Sequence, residues 1–335
     1  MTASPIPFCD LQRANAPIRK ELDRAIGRCM DRSTYLRGPE TAAFEEEWAD
    51  YCGQAHAVCC NSGTDALTIA ASAAGLTAAV IPATTLPLTG IGLHRGGAAV
   101  RLADVDDDGH LTPEPDAVPV LLYGRLPSAL SAPAVLHDAA HAHGWRPPPG
   151  AAAAWSFYPT KTLGALGDAG AVTTDDAALA DAMRDLCGRD DRLRSRRQIT
   201  SRIDEVQAAV LRVKLRHLDD WLTERRAIGD HYRARLHPLG LTLPGPSLDH
   251  LLVIRVASRD DLAATLAQRG IEAKVHWPLP LHRLDGPWQA TGSFPHAEAW
   301  CSSVLSLPCF PGLREREVER VCDAVAQWFA GTTVD

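Results

Sequence analysis

Lys161 stands in the middle of the segment 155-WSFYPTKTLGALGDAGAV-172. The apolar, aromatic run ahead of it reads as the end of a buried strand. Behind it Gly164, Gly167 and Gly170 form a Gly-rich turn into a second short strand at 171–173. Burial disfavours the charged form of a lysine. An amine desolvated in this way can attack a carbonyl carbon and form a Schiff base. The alternative is a lysine that lays its stem along the strand end and keeps its ammonium in water. Other stretches carry groups that suit such chemistry. In 61-NSGTDAL-67 a strand turns into a helix. Asn61 or Ser62 can cap it, Gly63 lets the backbone approach a ligand, and the free N–H groups with the helix dipole favour an anion. An ordinary capped helix would use the same residues. Asp138 ends a strand, where it serves either as a counter-charge to a cation or as the cap of a helix over 139–144. The stretch 188-GRDDRLRSRRQITSR-202 is either a solvated charge run or a set of arginine forks for a diphosphate. The acidic turn with Asp104, Asp106, Asp107 and Asp108 fits no calcium-loop spacing and reads as solvated.

The pattern around Lys161, S-F-Y-P-T-K-x-L-G-A-L-G-D-x-G-A, resembles the lysine loop of the nucleotide-sugar aminotransferases, a family of fold-type-I enzymes that use pyridoxal 5'-phosphate (PLP). The resemblance recurs in order at 61-NSGTDAL-67, 138-DAAHAHG-144, 201-SRIDEVQAAVLRVKLRHLDDW-221 and 276-HWPLPLH-282, and runs from Pro7 to about Val321. It implies an α/β fold: a mixed, mostly parallel sheet flanked by helices, with a smaller C-terminal α/β domain. It implies that Lys161 holds PLP and moves protons, and that Asp138 pairs with the pyridinium nitrogen so that the ring acts as an electron sink. His141 would cover the ring and contact its hydroxyl, and Gly63, Thr64 and Ser156 would hold the phosphate. Leu86, in 82-PATTLPLTGI-91, takes the place of an aromatic residue that usually stacks on the ring, a loss of about 0.5–1.5 kcal/mol. Thr200 replaces an Asn that reaches the neighbouring subunit's phosphate. Arg202 and His276 would face the substrate. His137 stands where Glu is usual. The G-P-E run at 38–40 matches part of the active-site rim, with a purely structural role as the alternative. Two regions are shorter than the family's: 124-GRLPSALSAPAV-135, where a full helix is usual, and 78-AAVIP-82.

A chain of 335 residues suffices for one large or two medium domains, and a hydrophobic fraction of 46% supplies a core. A net charge of −7 argues against a general nucleic-acid binder. No apolar run reaches membrane-spanning length, and the start lacks the apolar stretch of a signal peptide. The nine cysteines are scattered without a C-x-x-C pair, which points to a reduced, cytoplasmic setting and to neither a disulfide framework nor a metal site. Periodicity predicts helices at 13–32, from Pro39 onward, 176–187, 204–235 with Asp204 as cap, and 314–329. Ser258 with Asp261 three residues later predicts a capping box. Strands are expected at 56–60, 80–82, 98–102, 118–123, 135–137, 251–256 and 271–275. Pro238, Pro244 and Pro246 mark the junction between a PLP-binding domain, 1–236, and a substrate-facing domain, 237–335.

The expected activity is therefore transfer of an amino group from glutamate or glutamine to a keto-sugar, nucleotide-linked, or to a keto-cyclitol, in amino-sugar or natural-product biosynthesis. A homodimer with shared active sites is expected. One rival is a PLP-dependent sugar dehydratase; such relatives replace the lysine, so Lys161 argues against it. The other is a non-catalytic partner or regulatory subunit that keeps the fold, to which the shortened regions, Leu86 and Thr200 lend weight.

Overall fold

The computed structural model describes residues 4–126, 134–188, 199–241, 245 and 247–332. Nine strands follow in chain order: His56–Cys60 (β1), Ala78–Pro82 (β2), Ala99–Ala103 (β3), Leu136–Asp138 (β4), Ala152–Ser156 (β5), Gly170–Thr174 (β6), Leu252–Arg255 (β7), Trp288–Gln289 (β8) and Val304–Leu307 (β9). The first six build the main sheet. β3 pairs parallel with β2, and β4 parallel with β5. Single parallel bridges, Val80 to Ala117 and Val120 to Asp138, join the two halves. β6 lies antiparallel between β5 and β1. β1, β2, β4 and β5 therefore run the same way, and their carboxyl ends meet at one edge.

Side chains alternate between faces along a strand, and here both faces are apolar. Ala57, Cys59, Ala153, Trp155 and Ala171 pack with Phe44 and Trp48 of the helix Pro39–Cys52 and with Ala208 and Leu211. Val58, Cys60, Ala152, Ala154 and Val172 pack on the other side with the helix Gly63–Ala73 and with Leu93 and Met183. A sheet covered on both faces is the arrangement that parallel pairing requires. Another core gathers around antiparallel β7 and β9, with Ile228, Tyr232 and Leu236 on one side and Val318, Val321 and Val325 on another. β8 returns to the main sheet beside β3, and Leu281, Phe294 and Ala297 join that core.

Several expected elements come out differently. The helix over 13–32 is broken: Leu11–Asn15 and Arg19–Arg32 are separated by a 3-10 turn at Ala16–Ile18. Pro17 lacks an N–H and cannot continue a helix. The helix over 204–235 divides into Glu205–Leu215 and Leu218–Leu236, with His217 at φ −108° and ψ 0°. Beyond the break the second half carries Ile228, Tyr232 and Leu236 into the other core. Residues 118–123 form bridges only, because Pro119 cannot donate to a ladder; the turn Leu122–Gly124 follows, with Tyr123 at φ 64°. Residues 271–275 make only isolated bridges, Ile271 to Ile6 and Lys274 to Ser306 of β9. The segment 139–144 is a series of turns, not a helix. Ser258 makes no side-chain cap, and Asp261 instead accepts a hydrogen bond from Trp328 Nε1 at 2.6 Å. Asp204 and Ser62 do cap, accepting from the N–H of Gln207 and Asp65. Pro244, Pro246 and positions 189–198 of the arginine-dense stretch lie outside the described residues.

Among the described residues no helix is long and apolar enough to cross a membrane. Among them, too, no group of three or more His, Cys, Asp or Glu is placed to hold a metal ion. Asp104 of the acidic turn caps the helix Pro295–Ser303, accepting from the N–H groups of His296 and Ala297 at 3.1 and 2.8 Å.

Candidate active site

Ligands of α/β sheets bind beyond the carboxyl ends of parallel strands. The edge where β1, β2, β4 and β5 end holds a cavity of about 290 Å³. Lys161, Asp138, His141, Ser156, Gly63, Thr64 and Leu86 all line it. Four separated segments, each following a strand end, thus converge on one space.

Lys161 follows β5 by one turn, its N–H held by the Tyr158 carbonyl at 2.8 Å. Gly164 makes that turn possible: a Cβ there would lie 2.3 Å from the Pro159 carbonyl oxygen. Burial lowers the Lys161 pKa to about 8, against the opposing pull of the nearby Asp138 carboxylate. About a tenth of the amine is then unprotonated at pH 7, far more than at the ordinary lysine pKa, and able to act as a nucleophile.

Asp138 ends β4. Its Oδ2 accepts from the Thr89 hydroxyl at 2.8 Å and its Oδ1 from the Ala140 N–H at 3.1 Å. Burial raises its pKa, while Thr89, Ala140 and the Lys161 charge pull it down. His141 Nδ1 accepts the Tyr123 N–H at 3.1 Å. That nitrogen is therefore unprotonated, and the ring proton sits on Nε2. Burial and the Lys161 charge hold the His141 pKa well below its ordinary value, so the ring is neutral. It packs 4.6 Å from the His250 ring, whose Nδ1 lies 3.2 Å from the Thr162 hydroxyl. His137, next in sequence to Asp138, points into the core against Trp145 and is pushed by burial to a pKa of about 4. Alternation along β4 separates it from the cavity.

At the other end of the cavity lies the start of the helix Gly63–Ala73. Ser62 Oγ takes the Asp65 N–H, and Ala66 N–H bonds the Ser62 carbonyl. Among the described residues the N–H groups of Gly63 and Thr64 have no acceptor, which suits an anion at this helix start. Backbone and β-strand meet closely here. A Cβ on Gly63 would lie 2.7 Å from Ser156 Cβ, and one on Gly170 would lie 2.4 Å from the Ser62 carbonyl.

Three expected residues are not in this lining. Thr200 is exposed. Arg202 is half-buried and makes no ion pair among the described residues. His276 sits behind Tyr123, whose hydroxyl bonds its carbonyl, and its ring bonds Ser306 Oγ at 2.9 Å. Burial, with the Lys274 and Lys161 charges, takes its pKa to about 4. Glu40 of the G-P-E run also stays outside the cavity, paired with Arg32 and Arg212 at 3.0 and 2.6 Å. Sequence reasoning missed Thr85, Thr89, Tyr123 and His250. The threonines left a faint signal, one helical turn apart at the start of a helix. Tyr123 and His250 left none, since they reach His141 through chain folding alone.

A desolvated lysine, a buried carboxylate and an anion-ready helix start around one cavity define a fold-type-I PLP enzyme. The residues fit that cofactor: the glycines leave room for close approach of a phosphate, and the two charged groups flank the remaining space. The chain belongs to the DegT/DnrJ/EryC1/StrS aminotransferase family, whose pattern it matches over residues 17–120 and 131–326. It is a PLP-dependent aminotransferase. The interval 121–130 between the two matches overlaps the shortened region expected from sequence. Similar proteins include the erythromycin biosynthesis sensory transduction protein EryC1 of Saccharopolyspora erythraea, 38% identical over 94% of this chain and 97% of that one. The dTDP-3-amino-3,4,6-trideoxy-alpha-D-glucose transaminase of Streptomyces venezuelae is 37% identical over 96% of each. The crystal structure of S. venezuelae DesV in complex with a ketimine intermediate superposes with a TM-score of 0.89 at 36% identity, covering 98% of this chain and 99% of that one.

Proposed function

We propose that the enzyme moves an amino group from glutamate or glutamine to a nucleotide-linked keto-sugar in amino-sugar or natural-product biosynthesis. The observation that carries this reading is the placement of desolvated Lys161 beside buried Asp138 in one cavity. The similarity to a dTDP-amino-sugar transaminase supports the sugar class. A keto-cyclitol acceptor would use the same groups.

PLP supplies a ring that accepts electrons from the carbon undergoing proton loss. Gly63, Thr64 and Ser156 would hold its phosphate through backbone N–H groups and a hydroxyl. Asp138 would pair with the ring nitrogen and keep it protonated. His141 would donate its Nε2–H to the cofactor's hydroxyl oxygen, and Leu86 would supply apolar contact to the ring. Lys161 would hold the cofactor between turnovers. Its amine, when free, would take up and return the substrate proton, a task suited to a pKa near 8. Arg202 and His276 contribute to substrate recognition, and Thr200 acts on the neighbouring subunit's site.

That last assignment requires a homodimer. Exposed Tyr35, Leu36 and Leu166 support one. The Tyr35 carbonyl bonds the Glu205 N–H, and the Leu166 N–H bonds Gln207, so these apolar residues surround a single helix start. Residues 1–236 form the cofactor-binding unit and 237–335 the substrate-facing unit, with 281–297 reaching back to the main core. None of the nine cysteines is in a disulfide, which suits the cytoplasm.

The test is a screen of keto-sugar nucleotides and keto-cyclitols for glutamate-dependent release of 2-oxoglutarate, with light scattering on the same sample. No release from any keto-sugar, or full turnover by a monomer, would refute the acceptor or the assembly respectively.

A further inference from the structure

Asp138 has a pair of hydroxyl groups behind it that the reaction itself does not call for. Thr85 and Thr89 are almost fully buried, on the turn after β2 and in the first turn of the helix Pro87–Arg95. Thr89 Oγ1 lies 2.8 Å from Asp138 Oδ2, and the Thr85 and Thr89 hydroxyl oxygens lie 3.0 Å apart. A hydroxyl has one proton, and an ionised carboxylate only accepts. Thr89 therefore gives its proton to Asp138, and Thr85 gives its own to Thr89. The chain has one direction as long as Asp138 is charged.

We propose that Thr85 and Thr89 form a directional hydroxyl chain that keeps Asp138 ionised and fixes its carboxylate plane, making Thr89 a positioning residue for the cofactor's ring nitrogen. The proposal rests on the role given above to Asp138. A carboxylate desolvated at this depth is biased towards its neutral form, in which it could not hold a protonated ring nitrogen. Hydrogen bonds to the charged form oppose that bias. Thr89 and the Ala140 N–H take one site on each oxygen and leave the others for the cavity. Of the other titratable groups around Asp138, Lys161 is the cation. His141, His137 and His143 are held neutral by burial, with pKa values well below the ordinary one, about 4 and about 3 respectively. Once the Lys161 amine is engaged with a carbonyl, the hydroxyl chain and the Ala140 N–H are the constant support.

Thr89→Val keeps the shape and removes the proton donor; Thr89→Ser keeps the donor. Affinity of the apo-enzyme is measured for PLP and for its 1-deaza analogue, which has carbon in place of the ring nitrogen. Thr89→Val is expected to weaken PLP binding about tenfold, the scale of a hydrogen bond to a charged group, and to leave the deaza analogue unchanged. Thr89→Ser should restore PLP binding. In an Asp138→Asn background the Thr89→Val effect should vanish. Melting of the apo-protein supplies a second reading. A folded-state pKa raised further by Thr89→Val loses stability as pH rises through it, so the variant's penalty should be larger at about pH 8 than at about pH 5. Equal losses for PLP and the deaza analogue, equal effects of Val and Ser, or a Thr89→Val effect that persists without Asp138 would each overturn the proposal. If Asp138→Asn itself leaves the preference for PLP over the deaza analogue intact, the role of Asp138 falls and the chain's function with it. If Asp138→Asn abolishes that preference and Thr89→Val does not, only the hydroxyl chain is wrong.

Discussion

Two lysines of this protein are withdrawn from water, in differently built places. Lys161 opens on the cavity beside Asp138. Lys214 lies among packed helices, and its Nζ donates to the Gly164 carbonyl at 2.7 Å. Burial lowers the pKa of both to about 8. A depressed pKa therefore does not mark the reactive lysine by itself. What separates them is space: Lys161 has a cavity in front of its amine, whereas Lys214 spends its proton on tying down the loop that carries Lys161. Two acids form a parallel pair. Asp138 is hydrogen-bonded by Thr89 and Ala140 and keeps free lone pairs. Glu205 is surrounded, accepting from the N–H groups of Gly38, Glu40 and Thr41 and from the Thr41 hydroxyl. It serves as the cap of the helix Pro39–Cys52.

The comparison breaks most readily at the lysines. Lys161→Ala should lower turnover by about 10²–10⁴-fold or more, the scale of a lost proton-transfer group. Lys214→Met should leave turnover within about tenfold, since no reacting atom is in reach of it. Peptide mapping after PLP loading and borohydride reduction should find the label on Lys161 alone. A labelled Lys214, or a loss on Lys214→Met as deep as on Lys161→Ala, would erase the distinction.

The acids provide the next test. Glu205→Ala strands several buried donors at a helix start and should cost about 2 kcal/mol of stability. Asp138→Ala should cost less stability while slowing both half-reactions. Chemical denaturation and single-turnover rates for the two variants would show it. A reversed order would mean that Asp138 is the structural acid.

The pH dependence of stability sharpens the likeness between the lysines. Each has a folded-state pKa of about 8 against about 10.4 when unfolded. Between those values the unfolded chain binds more protons, so each lysine makes stability rise with pH in that window. Lys161→Met and Lys214→Met should each flatten the apo-protein's curve there, relative to wild type. An unchanged slope in either variant would mean that its ammonium is not desolvated. The smallest expected effect belongs to Leu86. Leu86→Phe should restore a ring contact worth about 0.5–1.5 kcal/mol and tighten PLP binding by up to about tenfold. A fluorescence titration showing weaker binding would mean that the cavity has been shaped around the leucine.

Much of this was legible in the sequence, because local chemistry leaves local marks. The strand-turn-helix at 61–67, the Gly-rich turn after Lys161 and the caps Ser62 and Asp204 depend on neighbouring residues, and the structure has them where expected. The apolar runs marked the strands, the family resemblance implied a sheet flanked by helices, and Pro119 carried the reason why 118–123 is no strand. What the sequence could not decide was convergence. Asp138, His141, Lys161 and Leu86 share a cavity only because β2, β4 and β5 are laid parallel with their carboxyl ends at one edge. The division of labour between Lys161 and Lys214 is decided there as well. So is the neutral, Nε2-protonated state of His141, set by an N–H from Tyr123, 18 residues away. A residue's type states which protons and charges it can offer. Desolvation, partners and open space decide which it does offer, and these arise only when distant segments pack together.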